Sequence, residues 1–434
     1  MPFASGSGGV DVGLTMAEKI LARKSGRGEV SPGEIVEARV DVVMLHDVGT
    51  PGVQRPLREL GAEEIAPGVR CVIIPDHFVP APTVQAAENL KLTREFARRM
   101  KLEHYYELGR GGICHQVMVE KGHVRPGDLI VAPDSHATTY GACGAFGTGL
   151  GVTDVAIALA TGRLWFRVPE SVRVTLEGKL APGVSAKDVS LFLLGEFGES
   201  RLIYKSLELG GPVIDDLGLD GRLCMADMAL EMGVKACLMA TDGKMLGYLR
   251  RVVGGEVEPI FSDPDARYEE EYRLDLTGLE PMVSAPHSPA NVKRVTEVEG
   301  IKVDQAFLGS CTNGRMEDLR LAASMLFGRR VHPEVRLLVT PASHEIYSRC
   351  LDEGLIQVFT AAGAVVTNPS CGACVGGHLG LLAGGETCIS SSNRNFRGRM
   401  GSKEGQVYLA SPATVVASAL AGKISDPRQA LGVK

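Results

Sequence analysis

Along most of this chain, short runs of consecutive apolar residues alternate with segments whose apolar positions return every three or four residues. The first pattern suits strands covered on both faces, the second amphipathic helices. Met16 to Lys24 reads as a helix, and EIVEARVDVVM as strand. RCVIIPDH predicts a strand ending at Pro75, and TVQAAENLKLTREFARRM a long helix. DLIVAPDSH predicts a strand running into a polar loop, and VTDVAIALATG a helix after a glycine run. This βα alternation predicts an α/β fold with largely parallel sheets. Pro182 and Gly183 interrupt the pattern, so one unit is expected over 1–180 and a second over 181–290. The second closes in YRLDLTGLEPMVSAPHSPANV, whose Pro281, Pro286 and Pro289 predict an extended linker. A third unit, 291–434, holds the strands VDQAFLG, VRLLVT and AVVTN, each followed by a turn and helix. The opening dozen residues, rich in Gly and Ser, read as a mobile tail.

Composition narrows the function classes. With 434 residues, 44% of them hydrophobic, the chain has ample material for several cores, which excludes disorder. Forty-six basic against 52 acidic residues give a formal charge of −6, the wrong sign for a nucleic-acid binder. Glycine, at 53 residues, is abundant enough to suit a site lined closely by main chain. No apolar run of about 18 residues suggests a membrane span. The N-terminus has no basic segment leading into an apolar core, so a cytoplasmic protein is expected. Ten cysteines in a chain this long are too sparse for a disulfide scaffold. In a reducing compartment, clustered ones point to metal or catalysis.

Cysteine spacing is the strongest chemical signal. Cys371 and Cys374 form CGAC, and Cys311 stands 60 residues earlier in LGSCTNGR. Both segments follow predicted strands in loops that open helices, where backbone N–H groups and the helix dipole are expected to lower thiol pKa. Three thiolates from two loops suit an iron–sulfur cube with one iron lacking a protein ligand, which would be a Lewis acid. CxxC alone also fits a redox pair or a zinc knuckle, although a second CxxC is absent.

Other residues must decide. His77 in IIPDHF, His115 in GGICHQV and His136 in APDSHATT lie at strand ends or glycine loops, with Asp76 and Asp134 close by. A carboxylate bonded to imidazole fixes its tautomer and raises its basicity, as acid–base catalysis requires. Any one such histidine is more often structural; three in one unit shift the balance. The run GACGAFGTGLGVTD contains GxGxG rather than GxGxxG, and no GxxxxGK[ST] exists, so nucleotide binding is weakly supported. Arg394 and Arg399, in SSSNRNFRGRMGS, could each take a substrate carboxylate bidentately or form an ordinary solvated turn.

Together, PDH, GGICHQ, PDSHATT, LGSCTNGR, NPSCGACVGGHLG and SSSNRNFRGRMG closely resemble the aconitase superfamily. Within it the chain resembles the branch of 3-isopropylmalate dehydratase and homoaconitase large subunits, from MAEKILAR to YLASPATVVASALAG. The resemblance implies three α/β domains around a [4Fe-4S] cluster held by Cys311, Cys371 and Cys374. The resemblance further implies that the swivelling fourth domain, with the family's catalytic serine base, is not part of this chain and is expected on a separate small subunit. His77 with Asp76 would protonate the leaving hydroxyl; His115 with Asp134, and His136 with Glu231, would orient water or hydroxyl at the iron. Arg394 and Arg399 match substrate-carboxylate arginines and Asn393 a neighbouring polar contact. Two departures stand out. The segment MADMALEMG carries Asp227 where the family usually has asparagine, and HDVGTPGVQ differs from the usual aconitase wording.

The implied reaction is dehydration and rehydration of a hydroxy di- or tricarboxylic acid. The first candidate substrate is 3-isopropylmalate, of leucine biosynthesis, ahead of homoaconitate and 2,3-dimethylmalate or methylmaleate-type acids. Some aconitases bind RNA without their cluster, but the charge of −6 and the lack of a basic stretch weigh against that role. An electron carrier would leave the histidines and arginines without a purpose.

Overall fold

The structure, a computed structural model, describes residues 13–432; the expected N-terminal tail lies outside the described residues. Four sheets organise it. A five-stranded, wholly parallel sheet runs in the order His104–Tyr105, Arg70–Ile73, Val42–Leu45, Leu129–Ala132, Phe146–Gly149. Val42–Leu45 and Leu129–Ala132 are buried throughout, as continuous apolar runs covered by helices on both faces should be. A four-stranded parallel sheet follows, ordered Ala236–Met239, Ser206–Gly210, Ser171–Glu177, Glu270–Asp275. A seven-stranded sheet completes the chain. Its five strands Gln406–Ala410, Thr387–Ser390, Gln305–Leu308, Arg336–Val339 and Val365–Val366 are parallel, and Met282–Ser284 adds antiparallel at one side beside Val292–Arg294. This is the α/β architecture with largely parallel sheets that the pattern predicts.

Three expectations change. EIVEARVDVVM is two strands in different sheets: Ile35–Arg39 alternates exposed and buried positions and pairs with Arg163–Arg167, whereas Val42–Leu45 enters the five-stranded core. Ser171–Glu177, expected in the first unit, is a central strand of the second sheet, and Met282–Ser284, expected in the second, belongs to the third. The supposed linker, 272–292, is largely strand instead: it takes in most of Glu270–Asp275, all of Met282–Ser284 and the start of Val292–Arg294. Prolines 281, 286 and 289 fall between these strands, where their missing N–H interrupts no ladder.

Helix ends follow the local chemistry. Thr15 and Glu18 form a capping box at the start of Met16–Ser25, and Gly26 closes it in the left-handed conformation at φ 72°. Thr83 caps Val84–Arg99 by accepting from the Ala86 N–H at 3.2 Å. Among the described residues, no helix is long and apolar enough to cross a membrane.

Candidate active site

Six strands of the two larger sheets end in loops that converge. Val42–Leu45 leads to His46 and Asp47, Arg70–Ile73 to Asp76 and His77, and Leu129–Ala132 to Asp134, Ser135 and His136. From the third sheet, Gln305–Leu308 leads to Cys311, Val365–Val366 to Cys371 and Cys374, and Thr387–Ser390 to Asn393 and Arg394. Carboxyl ends of parallel strands are where open α/β sheets bind ligands. His115 comes from the start of helix Cys114–Glu120, and Glu231 from the 3₁₀ turn Ala229–Met232 after the second unit's helix Leu219–Met228. Every expected site residue except Glu231 lines one cavity of about 130 Å³, and Glu231 stands directly behind it against His136 and Arg394.

Each histidine has its carboxylate. His77 Nδ1 is 2.7 Å from Asp76 Oδ1, His115 Nε2 is 3.0 Å from Asp134 Oδ1, and His136 Nε2 is 3.0 Å from Glu231 Oε1. Burial alone would lower the imidazoles, yet the Asp76 carboxylate, aided by Asp134 and Asp47, raises His77 to about 10. Burial is likewise outweighed at His136, where Asp227 and bonds to Asp134 and Glu231 bring the pKa to about 10. Both rings are therefore held in the doubly protonated, cationic form at neutral pH. Against burial, His77 keeps Asp76 below the usual carboxylate range, and His115 holds Asp134 well below it.

His46 and Asp47, assigned no role from the sequence, support this set. Asp47 Oδ1 accepts the N–H groups of Asp76 and His77 at 3.0 Å each, and Oδ2 accepts that of Phe78 at 2.9 Å. One buried carboxylate thus clamps the backbone that presents His77. His46 stacks on the His77 ring, with centroids 4.3 Å apart. The usable signal is His-Asp directly after an apolar strand.

The cysteines meet around Asn393. Its Nδ2 donates to Cys311 Sγ at 3.1 Å and to Asp227 Oδ1 at 3.2 Å, while Cys374 Sγ donates to its Oδ1 at 3.3 Å. Asp227, the departure from the family wording, is buried and also accepts from Thr139 Oγ1 at 3.0 Å. Cys371 Sγ lies 3.6 Å from Asp76 Oδ2. At Cys311 and Cys371 the expected lowering of thiol pKa is not found. Burial first, then Asp227 and Cys374 for Cys311, and Asp76 and Cys311 for Cys371, push these thiols well above their ordinary value. Ser310, immediately before Cys311, sits at φ 81°, a strained left-handed conformation for a residue with a side chain.

The donor set fits a thiolate-held group. Three thiols on two loops face one cavity, and the buried Nε of Arg399 has no hydrogen-bond partner while its Nη2 is 3.9 Å from Cys374 Sγ. A guanidinium left partly unsatisfied here is complementary to an anion entering the cavity. Arg394 is already engaged, its Nε donating to Glu231 Oε1 at 2.8 Å and its Nη2 to Ser135 Oγ at 3.2 Å. Cys114 is a fourth cavity-lining thiol, and its sulfur lies within 4.8 Å of donor atoms of His115 and Asp134. His46, Asp47, Asp76 and His77 could also surround an ion, but Asp47 is already committed to three backbone N–H groups.

Comparisons with known proteins bear on the family and the fold. The family model for aconitase (aconitate hydratase) matches residues 18–422. A Methanopyrus kandleri protein named 3-isopropylmalate dehydratase large subunit 1 is 52% identical over 417 residues, 96% of this chain and 99% of that one. A Methanothermobacter thermautotrophicus protein named probable methanogen homoaconitase large subunit is 48% identical, covering 97% of this chain and 99% of its own. The crystal structure of Thermococcus kodakaraensis aconitase X in its holo-form shares the fold at TM-score 0.54 and 12% identity, over 88% of this chain and 90% of that one.

Proposed function

The chain belongs to the aconitase family, and from that premise we propose that it is the catalytic large subunit of a hydro-lyase that isomerises 3-isopropylmalate by dehydration and rehydration. The observation that carries this reading is the single cavity bounded by three cysteines, carboxylate-bound histidines and two arginines. Proteins of this family generally bind an iron–sulfur cluster. Here Cys311, Cys371 and Cys374 would hold a [4Fe-4S] cluster, leaving one iron without a protein ligand. When bound, it would supply a Lewis acid that polarises a hydroxyl.

This chain's residues handle carboxylates and protons. Arg399, with its unpartnered buried Nε, takes one substrate carboxylate, and Arg394, oriented by Glu231, takes the second. His77, charged at neutral pH, delivers its proton to the departing hydroxyl oxygen while Asp76 steadies the imidazole. Asp134 orients His115, and Glu231 orients His136, so that the two imidazoles position the released water for return on the neighbouring carbon. The proton on the carbon next to a carboxylate needs a base, assigned to a serine on the small-subunit partner. The name "large subunit" carried by the relatives supports such a partner.

The test is turnover by the anaerobically reconstituted chain combined with its small subunit, followed through the ultraviolet absorbance of the conjugated unsaturated acid. Preferred turnover of 3-isopropylmalate is expected. Preferred turnover of homoaconitate would move the substrate to that of the 48%-identical relative, and a cluster-loaded complex that dehydrates neither acid would refute the reading.

A further inference from the structure

Lys187 has no part in the proton chemistry, yet its position is unusual. It is the one lysine that is wholly buried among the described residues. Its Nζ donates to the Ser392 carbonyl at 2.6 Å and the Ser391 carbonyl at 3.0 Å, and lies 3.4 Å from Thr312 Oγ1 and from Met228 Sδ. No carboxylate forms an ion pair with it among the described residues. Its neighbour Asp188 is spent on the Ser185 cap and on the Met282 N–H at 2.9 Å. Lys187 also sits in the first turn of helix Ala186–Phe197, at the positive end of the helix dipole. Burial, lack of an ion-pair partner and the wrong helix end are three separate penalties on one cation. Arg222, by comparison, is equally buried but paired with Asp242.

The neighbours supply the compensation. Ser391 and Ser392 lead into Asn393, whose amide joins Cys311 to Cys374, and Thr312 follows Cys311 directly. A second buried cation, Arg315, also has no ion pair among the described residues and donates to the Cys311 carbonyl at 2.6 Å and the Thr312 carbonyl at 2.8 Å. Both stand behind the cysteine loops, where deprotonating three thiols would introduce negative charge beside Asp227.

Resting on the cluster reading above, we propose that Lys187 is a positioning residue and built-in counter-charge for the cysteine-held group, its ammonium offsetting the thiolates' charge from behind while pinning the loop that carries Asn393. The lysine is then unfavourable in the empty chain and favourable in the loaded one.

The test compares wild type, Lys187→Gln and Lys187→Arg, as apo chain and as reconstituted complex with the small subunit. Iron content, the reduction equilibrium of the bound group and the unfolding midpoint are measured. Lys187→Gln keeps hydrogen-bond donors but removes the charge. It is expected to shift the reduction equilibrium at least tenfold towards the oxidised form, 59 mV for a one-electron couple. Lys187→Arg should stay within threefold of wild type. Apo Lys187→Gln should unfold no earlier than apo wild type, while its loaded form loses iron sooner. Should Lys187→Gln take up no iron, an undiminished apo midpoint supports the counter-charge and a lowered one overturns it. An unshifted equilibrium in Lys187→Gln, or an equal shift in Lys187→Arg, also overturns it. Failure of wild type itself to take up a cluster overturns the underlying cluster reading, and is seen before any variant is made.

Discussion

Three backbone N–H groups around His77 end on the Asp47 carboxylate. Asp47→Asn replaces an acceptor oxygen by an amide that must face one of those N–H groups. Removing this kind of support is expected to lower kcat by about 10- to 100-fold, with KM changed far less. Steady-state kinetics of the complex check it; a KM effect alone would contradict the clamp. Among the cavity's four thiols, Cys374→Ser should abolish iron binding and visible absorbance, whereas Cys114→Ala should keep both, as measured by iron analysis after reconstitution. The cysteines, histidines and arginines were legible because their chemistry is specific and their spacing unusual. The roles of Asp47 and Lys187 were not, because these residues act on main-chain atoms 29 to 31 and 204 to 205 positions away, and sequence spacing does not show such partners.

At the scale of elements, the distinction between Ile35–Arg39 and Val42–Leu45 was written in the pattern: alternation in IVEAR and an unbroken apolar run in VVML. Glu270–Asp275 was hidden because EEYRLD is charged, which an edge strand tolerates. The 3₁₀ helix Ser135–Cys143, expected as a loop, packs against helix Leu219–Met228 and between strands Phe146–Gly149 and Ala236–Met239 of the first and second sheets. A Cβ at Gly141 would stand 1.4 Å from the Cys237 carbonyl oxygen, so backbone must move to admit it. Gly141→Ala is expected to cost more than about 3 kcal/mol, the scale of severe overpacking, in denaturant unfolding. His123 offers a test of pH dependence. Burial, then the charges of His104, Arg70 and Arg125, lower it from 6.5 to about 3, and it accepts the Tyr106 hydroxyl at 2.7 Å. The unfolded chain therefore binds the extra proton between those values, and stability falls as pH drops below 6.5, levelling off near 3. His123→Gln should remove about 1 kcal/mol of the loss between pH 7 and 5.5, measured by unfolding at both pH values.

At the scale of the molecule, the first and third sheets contribute strand ends and the second contributes Glu231 and Asp227 from a helix and its closing turn. No unit holds a complete site, which explains why the sequence gives up the chemistry motif by motif while the cavity exists only in the fold. A base assigned to the small subunit carries a further expectation: the reconstituted large chain alone should be essentially inactive and should gain activity on addition of the small subunit. Robust turnover without it would place the base in this chain. The most direct measurement of the whole account is Mössbauer spectroscopy of the anaerobically reconstituted, ⁵⁷Fe-labelled complex with and without 3-isopropylmalate. The account predicts a four-iron cluster in which one iron alone changes its parameters when the acid is added. Four irons that all ignore the acid, or a preparation that takes up only zinc, would contradict it.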